Sequence, residues 1–440
     1  MGEYREAGGA SAGRESASDD TLTPPGYLPR VVDSEMRRGL NAAGWIVVEG
    51  PRACGKTWTG LRFARSALRL DTDVNARELG EIEPATLLRG PAPRLIDEWQ
   101  VVPSLWNHVR HACDATAERG LFILAGSAQP ADDATRHTGA GRVRRIRMRP
   151  MSLFESGDST GEVSLNDLLE GAECSAARSA TTLHDMVAML CRGGWPGQAG
   201  VPVDEVQQNL RDYLGEVART DIGHLEAAPS HDPEGVERLL RSIARNTATE
   251  ANYSTLAADT EPDPLHRHSV RSYMHALRRL FVVEEQPASS LHLRSKAPLR
   301  KTPKLHLVDP SLAAAALGAS PSRLLADLET LGLLFESMVL RDLRVLSQPS
   351  AGRISHLRDA YGQEADAVVE RPSGERMLVE VKLGGANNIQ AGADSLLRIS
   401  ANLPDSGPRR RPALVVVTAG GYSYTRADGV RVVPITLLGP

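Results

Sequence analysis

Residues 50–57 read GPRACGKT: a glycine, four residues, then Gly-Lys-Thr, which fits the phosphate-binding P-loop pattern. This motif constrains the fold strongly, because it needs a strand before it and a helix after it. The sequence offers both. Trp45 to Glu49 (WIVVE) is apolar and β-branched, as suits a buried strand. From Thr57 to Leu68, apolar residues recur at helical spacing at Trp58, Leu61, Phe63 and Leu68, so a helix is expected there. Gly50 and Gly55 permit backbone conformations that a Cβ resists. The loop Gly50, Pro51, Arg52, Ala53, Cys54, Gly55, Lys56 and Thr57 would then cradle phosphate oxygens at the positive end of the helix dipole. Lys56 is expected to reach the β- and γ-phosphates and Thr57 to offer its hydroxyl to Mg²⁺, which makes ATP and Mg²⁺ the expected cofactors.

Hydrolysis needs a metal organiser and a water activator. Arg94 to Glu98 (RLIDE) supplies both at the end of an apolar strand: Asp97 for the Mg²⁺ shell and Glu98 for the attacking water. A second apolar strand, Leu121 to Ala125, ends in Gly126 and Ser127. Ser127 could sense the γ-phosphate or hold the water, or could serve only as a helix N-cap. Gly139 to Arg142 (GAGR) precedes a run rich in arginine. Arg142 could act as an arginine finger, in its own chain or on a neighbour in a homo-oligomer. The other arginines partly alternate with Val143, Ile146 and Met148, as on the solvated face of a strand.

The 440 residues suggest two to four domains. Aromatic residues make up only 4%, so aliphatic cores are expected. The net charge of −4 does not mark a nucleic-acid binder, although a local basic face remains compatible with it. The four cysteines are far apart, which argues against a disulfide framework or zinc site and suits a reducing cytosol. With no signal-peptide pattern and no long apolar run, the expectation is a cytoplasmic protein that does not engage a membrane.

The order YLPRVVD (27–33), GPRACGKT, RLIDE, LAGS, GAGR, RPMSLFE (149–155) and GGWP resembles a family of predicted prokaryotic AAA+ superfamily ATPases. The resemblance covers nearly all of the chain after residue 26. It implies an ATPase core joined to a C-terminal domain with a PD-(D/E)XK nuclease-like core.

Within the C-terminal stretch, Met377 to Leu383 (MLVEVKL) places Glu380 and Lys382 on one face of a strand. Asp366 lies near the start of an earlier strand, and Glu336 lies on a helix upstream. Glu, then Asp, then Glu-X-Lys resembles the PD-(D/E)XK nuclease motif. Carboxylates from neighbouring elements would converge on Mg²⁺, and Lys382 would position water or stabilise charge at the phosphate. Arg358 could contact a substrate phosphate or form a surface ion pair. Lys304 and Asp309, in TPKLHLVDPSL (302–312), could be functional or could fix the strand and turn entering a helix.

Residues 235–285 read as a winged helix. Ser269 to Leu280 would be its recognition helix, with Arg267, Arg271, Arg278 and Arg279 near or on its outer face. Such a module could dock DNA or serve as an ATPase lid.

The expected architecture is α/β: a disordered tail (1–26), a P-loop AAA-type ATPase domain (27–160), a helical extension (161–232), a winged-helix-like middle (233–290) and a nuclease-like α/β domain (291–440). The expected activity is ATP hydrolysis coupled to binding or Mg²⁺-dependent cleavage of DNA or RNA. The alternative is an ATP-driven switch with a catalytically silent C-terminal module.

Overall fold

The computed structural model describes residues 21–116, 118–128, 141–223, 232–289, 302–358, 364–402 and 411–440. Residues 1–20, most of the expected tail, and Gly139–Ala140 of the GAGR stretch lie outside the described residues.

Among the described residues, the α-helices and strands of the N-terminal part are α1 (Asp33–Ala42), β1 (Trp45–Glu49), α2 (Lys56–Phe63), β2 (Ser66–Arg69), α3 (Val74–Ile82), β3 (Arg94–Asp97), α4 (Leu105–Asp114), β4 (Phe122–Gly126) and β5 (Val143–Arg147). The strands form a parallel sheet in the order β2-β3-β4-β1-β5. Helices cover both faces, so both sides of each central strand are apolar. Trp45, Val47, Ile96 and Leu124 pack on one face, while Ile46, Val48, Leu95 and Ile123 pack on the other. The first of these cores is not purely aliphatic, because Trp99 and Trp106 stack at 5.4 Å and Trp45 meets Trp106 edge-on at 5.9 Å. The helix expected from Thr57 to Leu68 is shorter. It stops at Phe63, and Leu68 lies on β2, where sheet pairing with Ile96 overrides the helical spacing.

The middle runs through α5 (Leu153–Ser156), β6 (Val163–Ser164), α6 (Leu165–Leu169), β7 (Ala177–Ser179), α7 (Leu183–Arg192) and α8 (Val203–Glu216), which ends in a π-turn, Val217–Asp221. Then come α9 (Pro233–Arg245), α10 (Tyr253–Ala258), α11 (Arg267–Arg279) and the antiparallel ribbon β8 (Val283–Gln286) with β9 (Lys304–Leu307). The ribbon crosses the boundary expected at residue 290.

The C-terminal part holds α12 (Pro310–Ala316), α13 (Pro321–Ala326), α14 (Leu328–Ser347), β10 (Arg353–Arg358), β11 (Glu364–Glu370), β12 (Arg376–Lys382), α15 (Ala386–Ala401), β13 (Ala413–Thr418), β14 (Gly421–Thr425), β15 (Arg431–Pro434) and β16 (Leu438–Gly439). β10, β11 and β12 form an antiparallel meander, and β13 joins β12 in parallel after the α15 crossover. The short strand β7, from the stretch expected to be mainly helical, closes the far edge by pairing with β14. One apolar core runs from Leu153 through the middle helices to Leu438, so the middle and C-terminal parts fold around shared side chains.

A buried carboxylate joins these parts. Glu284 on β8 bonds Arg147 of β5 at 3.1 Å, Arg149 just beyond β5 at 3.0 Å and Arg344 of α14 at 2.6 Å. The arginines of β5 are therefore not simply a solvated face. Arg147 also lies 4.2 Å over the Phe281 ring, while Arg144 and Arg145 pair with Glu35 and Glu49. Burial alone would raise the Glu284 pKa, but Arg149, Arg344 and Arg147 together hold it far below the usual carboxylate range.

A carboxylate whose pKa is depressed on folding contributes stability above its unfolded pKa, about 4.3 for Glu. That contribution is lost as pH falls through the folded value. Glu284→Gln should therefore destabilise the fold by roughly 3–5 kcal/mol at neutral pH, by leaving buried guanidinium groups unpaired. In urea unfolding of wild type and variant, the gap between them should narrow as pH drops below about 4. A constant gap from pH 7 to pH 3 would contradict this account.

Candidate functional sites

The P-loop crosses from β1 to α2 with Ala53 and Gly55 in left-handed conformations (φ 61° and 102°). Gly50 is required for a different reason from the one its sequence suggests. A Cβ there would lie 2.3 Å from the Met148 carbonyl oxygen, so it is the close approach of the chain leaving β5 that excludes a side chain. Lys56 is buried, and its Nζ donates to the Pro51 carbonyl at 2.7 Å inside the loop. The loop borders a cleft of about 1350 Å³ also lined by Tyr27, Asp97, Glu98, Ser127 and Arg279.

Because β4 lies between β1 and β3, the ends of all three strands meet at this cleft. Thr57 Oγ1 donates to Asp97 Oδ2 at 2.8 Å. The other carboxylate oxygen of Asp97 is buried with no hydrogen-bond partner among the described residues. Burial first, and then Glu98, raise the Asp97 pKa, against the Thr57 hydrogen bond and Lys56. A hydroxyl beside a buried carboxylate oxygen with spare acceptor capacity is a hard-cation donor set, so these residues fit Mg²⁺. Glu98 has a left-handed backbone (φ 52°), a conformation costing a non-glycine residue roughly 1–3 kcal/mol. Its side chain accepts a 2.9 Å bond from Ser127 Oγ and a short one from Gln100.

The structure does not bring Arg142 to this cleft. It precedes Val143, which pairs with Trp45 at the start of β1, the end of the sheet opposite the P-loop. There it pairs with Asp114. An arginine finger within the same chain is therefore not formed.

The sequence reading gave no role to Arg30. This buried side chain donates from Nη1 to the Cys54 carbonyl at 2.8 Å and from Nη2 to the Arg149 carbonyl at 2.8 Å, and it pairs with Glu155 at 3.1 Å. It clamps the P-loop to the segment after β5. The only trace in the sequence is its place in the YLPRVVD stretch. Arg52, within the loop, pairs with the buried Asp221 at the π-turn. Arg279, expected near the outside of a recognition helix, lines the cleft with Leu280 instead.

A second cluster forms at one end of the C-terminal sheet, where β11 begins and the antiparallel β12 finishes. Lys382 Nζ lies 2.7 Å from Glu380. The amide of Val381 donates to Asp366 Oδ2 at 2.7 Å, which fixes that carboxylate against β12. Lys304, buried on β9, reaches Glu336 of α14 at 2.8 Å, Glu364 at 2.7 Å and Asp366 at 4.0 Å. Burial and Asp366 push Glu336 up to about 8, opposed by Lys304. The same two causes push Glu380 to about 7, opposed by Lys382. Burial would favour neutral Lys304, but Glu336 and Asp366 keep it charged. Among the described residues, no three carboxylate, imidazole or thiol groups are disposed to hold a metal ion as they stand. Arg358 lies at the rim, 4.0 Å from Glu250, and the neighbouring Asp359 is outside the described residues. The uncertainty left by the sequence over Asp309 ends differently. Asp309 caps α12 and holds Arg341 and the Gly194 amide in the interior, so it fixes structure.

Comparison with known proteins bears on the segment that carries the first cluster. Residues 43–156 match the family described as AAA domain. The N-terminal part of the chain is an AAA-type ATPase domain. Residues 183–323 and 331–438 match two families each described as a domain of unknown function, DUF8612 and DUF4143. Uncharacterized protein Rv2008c of Mycobacterium tuberculosis is 23% identical over 415 residues, covering 91% of this chain and 82% of the relative. Among solved structures, the Walker-type ATPase PABY2304 of Pyrococcus abyssi aligns at 12% identity over 67% of this chain and 97% of its own, with TM-score 0.41. Replication initiator DnaA, bound to AMPPCP and single-stranded DNA, aligns at 14% identity over 56% of this chain and 85% of its own, with TM-score 0.27. Among the described residues, no helix is long and apolar enough to cross a membrane.

The position of Arg142 can be tested directly. Arg142→Ala should leave nucleotide affinity unchanged and alter turnover of dilute protein by less than about twofold, because a surface ion pair contributes at most about 1 kcal/mol. Steady-state ATPase assays across protein concentration check this. A large loss at every concentration would place Arg142 in its own chain's chemistry.

Proposed function

We propose that this chain hydrolyses ATP at the P-loop cleft and uses a PD-(D/E)XK nuclease-like C-terminal domain to cleave nucleic-acid phosphodiester bonds with Mg²⁺. The observation that carries the reading is the meeting of Glu336, Asp366, Glu380 and Lys382 at one sheet end. They arrive there on a helix, a three-stranded meander and its last strand, with α15 and the parallel β13 completing the unit. The order of helix, meander, crossover helix and parallel strand supports reading this unit as a PD-(D/E)XK-like core.

The ATPase chemistry follows from the cleft. The loop amides and Lys56 hold the phosphates. Thr57 and Asp97 would hold Mg²⁺, which would supply neutralisation of phosphate charge. Glu98, turned by its left-handed backbone and steadied by Ser127 and Gln100, orients the attacking water and accepts its proton. Arg279, delivered by the end of α11, supports the lid alternative for the three-helix middle over a DNA recognition helix.

At the second site, Glu380, Asp366 and Glu336 are the carboxylates that would supply oxygen ligands to a divalent cation once they turned toward it. Lys382 positions the attacking water and stabilises negative charge at the phosphate.

Two measurements separate the activities. Glu98→Gln should lower the ATPase kcat by roughly 10²–10⁴-fold while retaining nucleotide binding. Lys382→Ala should abolish Mg²⁺- or Mn²⁺-dependent cleavage of DNA or RNA while leaving ATP hydrolysis within about twofold, since the ATPase site contains no group from β12. If wild type cleaves no nucleic acid with or without ATP, the reading becomes an ATP-driven switch with a silent C-terminal module.

A further inference from the structure

The C-terminal cluster contains a residue that its motif does not call for. Lys304 comes from β9, outside the helix, meander and crossover that supply the other members. Its side chain is 5% exposed, and its ammonium lies between Glu336 and Glu364 with Asp366 beyond. A lysine can be buried this deeply only where carboxylates replace its lost hydration.

Four carboxylates (Glu336, Glu364, Asp366 and Glu380) face two ammonium groups (Lys304 and Lys382). Fully ionised, they leave two negative charges uncompensated, the charge of one divalent ion. Without Lys304 the excess would be three. Two-metal phosphodiesterase sites hold their ions about 3.5–4 Å apart within such carboxylate groups. The Lys304 ammonium stands among three of these carboxylates, Glu336, Glu364 and Asp366.

We propose that Lys304 is a built-in cation of this cluster: its ammonium fills one cation seat and orients Glu336 and Glu364, so the site accepts one divalent ion rather than two. Lys304 is thus a positioning residue, acting through the carboxylates. The inference rests on the cluster being the chemical centre described under the proposed function. It adds a link to the rest of the molecule. β9 pairs with β8, where Gln286 lies opposite Lys304 and Glu284 opposite His306. Gln286 donates to the Asp366 carbonyl at 2.7 Å. The ribbon that presents Lys304 is therefore also fastened to the strand bearing Asp366.

The test is a count of bound Mn²⁺. Nucleotide-free full-length protein is titrated with Mn²⁺, and free ion is followed by electron paramagnetic resonance. Ions assigned to the cluster are those lost when Asp366→Ala is added to each variant. Wild type should bind one ion there. Lys304→Met should bind two. Lys304→Gln, which keeps a hydrogen-bond donor for Glu336 and guards against misfolding of the methionine variant, should also bind two. Lys304→Arg, which keeps the charge, should bind one. Circular dichroism and gel filtration confirm that each variant folds.

An unchanged count and affinity in both uncharged variants would overturn the proposal. So would loss of the wild-type ion, because Lys304 would then support the metal ligands rather than occupy a seat beside them. No ion in wild type but one in the uncharged variants would uphold the seat and sink the Mg²⁺-cleavage reading. No ion in any protein would sink both.

Discussion

The fold is organised around Glu284, a carboxylate buried among three arginines. Two of those arginines belong to the last strand of the ATPase sheet and the turn beyond it, and the third belongs to α14. Hydrophobic packing does not distinguish one orientation of two apolar faces from another as sharply as this contact does. A charge taken out of water has to meet its partners in good geometry, and a displaced arrangement would leave several charges buried and unpaired. Continuous packing holds the middle and C-terminal parts together, while the Glu284 contact sets where the ATPase sheet stands against them.

α14 connects that constraint to both chemical sites. Its early turns carry Glu336 into the acidic cluster, and its later turns carry Arg341, Asp342 and Arg344. Asp342 accepts from the Leu153 amide at 2.9 Å, inside the capping box formed by Ser152 and Glu155, and Glu155 also holds Arg30. Arg30 in turn holds the Cys54 carbonyl of the P-loop. Polar contacts therefore run from the phosphate loop to the helix that bears Glu336. A rigid shared element of this kind is a precondition for coupling two sites, although coupling itself is a difference between two states and not a property of one.

Much of the fold was legible because its signals are local. The P-loop, the strand ending in Asp97 and the strands carrying Asp366 and Glu380 each show in a few consecutive residues, and observed strand limits fall within a residue or so of those read from the pattern. The misplaced features are those decided at a distance. Leu68 has helical spacing but pairs in a sheet. Gly50 looks like a conformational requirement and is a steric one imposed by Met148. Arg142 follows two small residues, as an arginine finger could, but strand register puts it at the wrong end of the sheet. Lys304 stands out in the sequence only with its role open, because its burial among carboxylates depends on residues 32 to 62 positions later.

The two sites also differ in how their excess charge is handled. In the ATPase cleft, Asp97 and Glu98 are neighbours in sequence, but the left-handed backbone at Glu98 turns one toward Thr57 and the other toward Ser127. Geometry therefore turns the two carboxylates to different partners. In the C-terminal cluster the carboxylates come from different elements and crowd together, with two lysines interleaved. Separation there is achieved by built-in positive charge. A protein that must hold several acids in a buried space can either aim them apart or place cations between them. This chain uses the first solution at the cleft that one turn can shape, and the second where distant elements meet.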